Sequence, residues 1–312
     1  MAKVLVTGGA GFIGSHLVTR LLALEHKVRV FDDLSSGKLI NLSHVRDKVD
    51  FVQGDLRHEE ECLRACLDID YIFHQAAIPS VPKSVDEPGH SHDVNVKGTF
   101  NILRAAVQQK VRRVIYAASS SAYGNTKESP KHEGIRPEPL SPYAVQKLLG
   151  EQYARAFTEC YGLETISLRY FNVFGTRQDP KSQYAAAIPA FVTSMLRGEP
   201  PTIYGDGEQT RDFTYIDNVV EGNMLAMQAA RTHGEAINVA CGGAISVNHV
   251  IAEINRLLGT KVKPTYVPAR TGDVMHSCAD IRRARELLGF KPIVSFEEGL
   301  TRAIDYYRSV AG

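Results

Sequence analysis

"VLVTGGAGFIGSHL", Val4 to Leu17, is the stretch whose reading decides the fold. A β-branched apolar run passes into glycines and then into a segment with apolar positions at helical spacing, so the glycines fall at a strand-to-helix turn. Gly8, Gly11 and Gly14 occupy that turn, and Gly9, Gly11 and Gly14 satisfy the Gly-x-Gly-x-x-Gly spacing equally well. Small residues there let the backbone approach a pyrophosphate, whose charge then lies at the positive end of the helix dipole. Asp32 follows 18 residues after Gly14, at the end of a second apolar run. Its carboxylate can accept hydrogen bonds from both hydroxyls of an adenosine ribose, and its charge, with Asp33 adding to it, repels a 2′-phosphate and favours NAD over NADP. No Gly-Lys-Ser/Thr closes the turn, which excludes a Walker loop. Asp55 in "GDL" ends the third run, where it either meets the adenine or caps the helix that follows.

Outward from this turn the first half of the chain keeps one rhythm. "KVLVTG", "KVRVFD", "VDFVQGD", "YIFHQAA", "RRVIYAA" and "ETISLRY" are strand candidates separated by helical patterns such as "VKGTFNILRAAVQQK" and "YAVQKLLGEQYARAFTECYG". Six such runs predict an α/β fold with a doubly wound parallel sheet. Past about residue 172 the rhythm breaks into Gly/Pro-rich connections and shorter helices such as "SVNHVIAEINRLLG" and "SFEEGLTRAIDYYRSV". We therefore expect residues 1–172 to form a nucleotide-binding domain and residues 173–312 a smaller, loop-rich α/β lobe, with some segments returning to the first domain.

The 36 basic and 35 acidic residues leave a formal charge of +1, with no basic block of the kind that marks a nucleic-acid or membrane surface. Small molecules are the expected partners. The five cysteines have no CxxC or Cys/His zinc spacing and read as reduced packing residues, and no metal site is expected. No apolar run reaches the roughly 18 residues of a membrane span and no secretion segment opens the chain, so the default expectation is cytoplasmic.

"SPYAVQK", Ser141 to Lys147, carries the chemistry. With 13 tyrosines in the chain a Tyr-x-x-x-Lys pair arises by chance, and Tyr123 to Lys127 is a second copy. An i, i+4 pair shares a face only on a helix. "YGNTKESP" carries Gly124, Asn125 and Pro130, whereas Tyr143 follows a Ser-Pro start signal and heads a long helical pattern. Tyr143 is thus the candidate base and Lys147 the ammonium that favours its phenolate, since a free phenol titrates near pH 10. The "RRVIYAA" strand runs into Ser119, Ser120 and Ser121, placing hydroxyls at the carboxyl edge of the sheet, where ligands of such folds bind. Ser119 would orient a substrate hydroxyl.

With "GGAGFIG", Asp32, "SSSAYG" and "YAVQK" in this order, the chain resembles the extended short-chain dehydrogenase/reductase family over nearly its whole length, and within it the nucleotide-sugar 4-epimerases. The resemblance implies a Rossmann fold with NAD held by Gly8, Gly11, Phe12, Ile13, Gly14, Asp32, Asp33, Asp55, Leu56, Gln75, Ala76, Ala77, Asn95, Tyr143 and Lys147. It places the catalytic hydroxyl four residues before the tyrosine of "YG", at Ser119. Related dehydratases and decarboxylases carry an acid just after that hydroxyl; here those places are Ser120 and Ser121, which implies oxidation and re-reduction of one carbon. "LRYFNVFG", "GEQTRDF" and "PARTGD" supply Asn172, Arg211, Arg270 and Asp273 as contacts to a UDP-sugar, with Ser80, Ser120, Ser121 and Tyr184 beside them. "RQDPKSQYAAAIP" looks like the signature of epimerases acting on UDP-N-acetylglucosamine, and the small Ser277 leaves room for a 2-acetamido group. The chain departs from some epimerases after the fourth strand, where it has Pro79 and Ser80 and the lysine falls at Lys83, a substitute cofactor contact. The family also implies a homodimer through the helices after Val94 and Tyr143. The alternatives are an epimerase of UDP-glucose alone, one of UDP-glucuronate, and an NAD-binding sensor; sensors typically lose the tyrosine, lysine or serine, all three of which are here.

Overall fold

The computed structural model describes residues 1–180, 187–269 and 275–311. All six predicted runs are strands: β1 (Lys3–Thr7), β2 (Lys27–Asp32), β3 (Val49–Gln53), β4 (Tyr71–His74), β5 (Arg113–Ser119) and β6 (Glu164–Tyr170). They lie in one parallel sheet in the order β6-β5-β4-β1-β2-β3, and a seventh strand, Glu235–Val239, pairs with the outer side of β6. Sequence reading missed that strand, because "EAINV" is short and stands among loop signals. The near-continuous apolar runs follow from helices covering both faces; Val4, Leu5 and Val6 are fully buried.

Six helices accompany the first six strands: α1 (Phe12–Ala23), α2 (Glu59–Ala65), α3 (Val81–Asp86), α4 (Pro88–His92), α5 (Gly98–Gln108) and α6 (Pro142–Tyr161). Between β2 and β3 the connection is a 3-10 stretch, Leu39–Lys48, in which Leu42 and Val45 alone are buried. A π-helical turn, Asp93–Lys97, leads into α5. The sheet order reverses between β1 and β4, which opens a crevice at their carboxyl ends. Both the glycine turn and residues 75–80 border it.

The rest of the chain builds on this frame. The Ile216–Gln228 helix packs on α1, and short strand pairs join 172–174 to 213–215, 202–204 to 265–267, and 210–211 to both 245–246 and 276–277. One apolar cluster runs from Val4 and Leu17 through Phe174 and Phe213 to Phe296 and Tyr307. Among the described residues no helix is long and apolar enough to cross a membrane, and no group of side chains could hold a metal ion. The five cysteines are free.

Arg113, the first residue of β5, is fully buried. Its Nε and Nη2 donate to Glu164 on β6, and its Nη1 donates to the carbonyls of Ala226, Met227 and Ala229 at 2.9, 3.0 and 2.8 Å. Those are the orphan carbonyls of a helix end, where a cation is stabilising. An Arg113→Met variant leaves them and Glu164 unpaired, and should lower the unfolding free energy by ~3 kcal/mol, seen as a lower urea midpoint with an unchanged slope.

Candidate active site

The glycine turn is built by close approach. Gly8 has φ 66°, and a Cβ there would lie 2.8 Å from the backbone of Ala76, just after β4. A Cβ on Gly14 would lie 2.1 Å from the carbonyl oxygen of Gly8. Gly11 occupies the N-cap of α1, where no side chain caps the first turn. Half-buried Phe12 and Ile13 follow it. An uncapped helix start beside a turn with no room for side chains fits a dinucleotide pyrophosphate.

Asp32 ends β2 almost fully buried; its Oδ2 accepts the Ala10 N–H and its Oδ1 the Leu34 N–H, both at 2.9 Å. Burial pushes its carboxyl above the usual range, and the two amides oppose that push. Further lone pairs remain for ribose hydroxyls. Asp33 turns to its own loop, accepting the Ser35 N–H and hydroxyl. Asp55 does not cap α2, whose N-cap is His58; it pairs with Arg57, whose guanidinium holds the carboxyl below the usual range. Leu56 is buried, and its carbonyl accepts from Asn101.

After β4, Gln75 donates to the Tyr170 hydroxyl at 3.2 Å and reaches Asn223 at 3.4 Å. Ala76 donates its N–H to Thr7 Oγ1, and Ala77 is half-buried in the same loop. Asn95, expected at the cofactor, has its amide engaged within the protein: Oδ1 accepts the Ile78 N–H at 2.7 Å, and Nδ2 donates to the Ile78 carbonyl and to Gln146. It therefore shapes the loop beside the crevice. Ser80 caps α3 by accepting the Lys83 N–H at 3.1 Å.

A buried chain of hydrogen bonds that the sequence did not disclose runs under this loop. Thr7 Oγ1 accepts from Ala76 and meets His74 Nδ1 at 2.7 Å; His74 Nε2 meets Thr99 Oγ1 at 3.0 Å, and Thr99 donates to the Asn95 carbonyl. Since each hydroxyl has one proton, Thr7 donates to His74 and His74 carries its proton on Nε2. Burial, with the Lys147 charge adding to it, brings the His74 pKa down to about 3, so the ring is neutral.

Ser119 ends β5, and its hydroxyl lies beside the Tyr143 phenol, where it favours the phenolate. Ser121 donates to Ser119 Oγ through both its N–H, at 3.2 Å, and its hydroxyl, at 2.8 Å. With its lone pairs so occupied, Ser119 keeps its own proton to donate. Ser141 caps α6 by accepting the Ala144 N–H, and Ser84 on α3 accepts the Tyr143 N–H at 3.0 Å. Lys147 lies one turn on, buried, with Nζ donating to the Ala117 carbonyl at 2.8 Å and lying 5.1 Å from the Tyr116 ring centre. Burial brings its pKa down to about 8. The Tyr143 phenol is pushed up by burial, and Ser119 opposes the push. In the protein alone, then, burial outweighs the hydroxyl's help to the phenolate. The Tyr123 alternative fails on geometry: Tyr123 ends a 3-10 turn, Ser120–Tyr123, and donates its hydroxyl to Asn238.

Arg211 and Ser277 are brought together as register partners in neighbouring strands, and Arg211 Nη1 donates to the Thr210 carbonyl at 2.9 Å. Half-buried Asn172 opens its strand and donates its N–H to the Asp212 carbonyl. Tyr184, Arg270 and Asp273 lie outside the described residues. Arg177, in the stretch compared above to a substrate signature, donates instead to the Ser15 carbonyl and Thr19 hydroxyl of α1, at 3.0 and 3.1 Å.

Sheet, glycine turn and Ser-Tyr-Lys cluster together define a dinucleotide-dependent enzyme of the extended short-chain dehydrogenase/reductase type. The model of the NAD dependent epimerase/dehydratase family matches residues 4–240, and the chain belongs to that family. A UDP-N-acetylglucosamine 4-epimerase from Methanobrevibacter ruminantium M1, solved in complex with UDP-N-acetylmuramic acid, is 40% identical, with a TM-score of 0.95 over 99% of both chains. The Thermus thermophilus UDP-glucose 4-epimerase, solved with NAD, is 35% identical with a TM-score of 0.90 over 98% of this chain and 99% of that one. The UDP-glucose 4-epimerase of Mycolicibacterium smegmatis is 38% identical over 311 residues, 98% of this chain and 99% of the relative.

Gly14→Ala tests the cradle. A methyl group 2.1 Å from the Gly8 carbonyl forces the turn and α1 apart, so the purified variant should lack the NAD that denaturation releases from the wild-type protein, measured by chromatography of the supernatant.

Proposed function

We propose that the protein is a UDP-hexose 4-epimerase that interconverts UDP-N-acetylglucosamine and UDP-N-acetylgalactosamine, with UDP-glucose and UDP-galactose as a second substrate pair. What carries the reading is the Ser119 hydroxyl beside the Tyr143 phenol at the carboxyl end of β5, one helical turn from buried Lys147 and with serines instead of an acid at positions 120 and 121. Bound NAD supplies the hydride acceptor and donor at C4 of the sugar and a positive charge that favours the phenolate.

The protein's own residues handle the proton. Tyr143, with the Ser119 hydroxyl beside it, takes the C4 hydroxyl proton and later returns it, so the stereocentre inverts with no net redox change. Lys147 stabilises the phenolate while it keeps its charge. Its pKa of about 8 sets the window: the ammonium is present below that pH, and kcat should fall as the pH rises through it. Arg211 suits the diphosphate, and Ser277 beside it leaves space at C2. A nucleotide held firmly and a hexose held loosely let the 4-keto sugar turn its other face. The similarity to a UDP-N-acetylglucosamine 4-epimerase supports the acetylated pair.

Purified protein is incubated, with no added NAD, with UDP-N-acetylglucosamine, UDP-glucose and UDP-glucuronate separately, and the anomeric protons are followed by NMR. Epimers of the first two are expected; none from any substrate would refute the reading, and turnover of UDP-glucose alone would refute the argument from Ser277. Tyr143→Phe should lose roughly a thousand-fold in kcat. Ser277→Tyr should lose the acetylated substrate and keep the plain one.

The reading includes a homodimer. Val145, Leu149 and Tyr153 recur every fourth residue on α6, yet are 42%, 36% and 37% exposed, and Val81 and Val85 of α3 are exposed as well. An apolar stripe of this kind suits a second copy of the chain. Sedimentation should give a dimer, and Leu149→Glu a monomer.

A further inference from the structure

One buried ion pair stands one turn beyond the candidate lysine. Glu151 follows Lys147 by four residues on α6, so Tyr143, Lys147 and Glu151 share a face. Glu151 accepts a bidentate fork from Arg169 on β6, Nε to Oε1 at 2.9 Å and Nη2 to Oε2 at 2.7 Å, and both side chains are 4% exposed. The Arg169 guanidinium lies 4.7 Å from the ring centre of Tyr123, the residue that closes the turn begun by Ser119. Its remaining nitrogen, Nη1, is buried without a partner. The guanidinium is therefore aimed by two constraints, the carboxylate on α6 and the ring on the serine turn.

We propose that the Glu151–Arg169 pair is the positioning element that binds the Tyr143–Lys147 helix to the Ser119 turn and supplies Lys147 with its counter-charge. The inference rests on the epimerase reading. Neither residue touches the reacting atoms; both act through others. Compared with apolar packing, a buried ion pair adds little net stability, whereas this one faces the group whose charge the reaction uses. The groups around Lys147 are Tyr143 and Glu151 on its own helix, Tyr116 on β5, His74 on β4 and, behind Glu151, Arg169 on β6. The helices on the other flank bring the neutral Ser84, Ser91 and Asn95 to α6. Burial holds His74 and Tyr116 neutral, so among these groups the standing charges are those of the pair. Burial works against the Lys147 ammonium, and Glu151 opposes that loss.

The test compares pH profiles of kcat for the wild-type protein, Glu151→Gln, Glu151→Asp and the double variant Glu151→Gln/Arg169→Met, with folding followed by circular dichroism. In Glu151→Gln the alkaline limb should move to lower pH by about one unit, with KM for the UDP-sugar unchanged. Glu151→Asp should keep the limb in place, and the double variant, which leaves no uncompensated buried charge, should move it the same way by less. Limbs that stay in place in both neutralised variants would overturn the inference. Failure of both to fold would also overturn it, by assigning the pair to stability alone. Absence of epimerisation by the wild-type protein would instead overturn the reading of function.

Discussion

The buried ammonium of Lys147 constrains everything around it. A charge removed from water needs compensation, and Lys147 finds it in the Ala117 carbonyl, the Tyr116 ring and Glu151. Because Ala117 lies two residues before Ser119 on β5, seating the lysine there sets how far α6 can slide along the sheet, and with it where Tyr143 meets Ser119. Gly150 completes the fit: a Cβ there would lie 2.2 Å from the Tyr116 hydroxyl. The helix can therefore approach β5 closely only because that position lacks a side chain.

A second set of contacts keeps the nucleotide end in the same frame. The chain from Thr7 through His74 and Thr99 to Asn95 joins the end of β1, the end of β4 and the π-helical turn before α5. Its neutral histidine gives it one direction, which suits a support that must not change with pH. On the other side of the crevice, Arg177 and His16 tie residues 176–177 to α1, Lys38 pairs with Asp179 at 2.6 Å, and Tyr307 donates to the carbonyls of Gly175 and Gln178. The loops that would meet a sugar nucleotide are thus anchored on the helix whose start would meet the cofactor, as a reaction that passes hydride between the two requires.

The features legible in the chain were those written in local spacing. The glycine turn, six strands and the helix under Tyr143 and Lys147 each depend on residues within one turn or one strand of each other, and each has its own start or stop signal. The Glu235–Val239 strand escaped because its place at the edge of the sheet depends on the pairing of Asn238 and its neighbours with β6, some 70 residues earlier. The amide partners of Asn95, Ile78 and Gln146, lie 17 and 51 residues away, so no local signal announces them. Gln75 is met by Tyr170 and Asn223, which are 95 and 148 residues away.

By itself the sequence determined the kind of fold and named the candidate reacting groups, since a glycine without a Cβ and a tyrosine four residues before a lysine are properties of local chain. Tertiary structure alone decided their electrostatic state. Whether a phenol is pushed up by burial, a lysine down to about 8 or a histidine to about 3 depends on which strands and helices enclose it. The Glu151–Arg169 fork belongs to that second category, because a carboxylate on a helix and a guanidinium on a strand become partners only when the sheet and helix have packed.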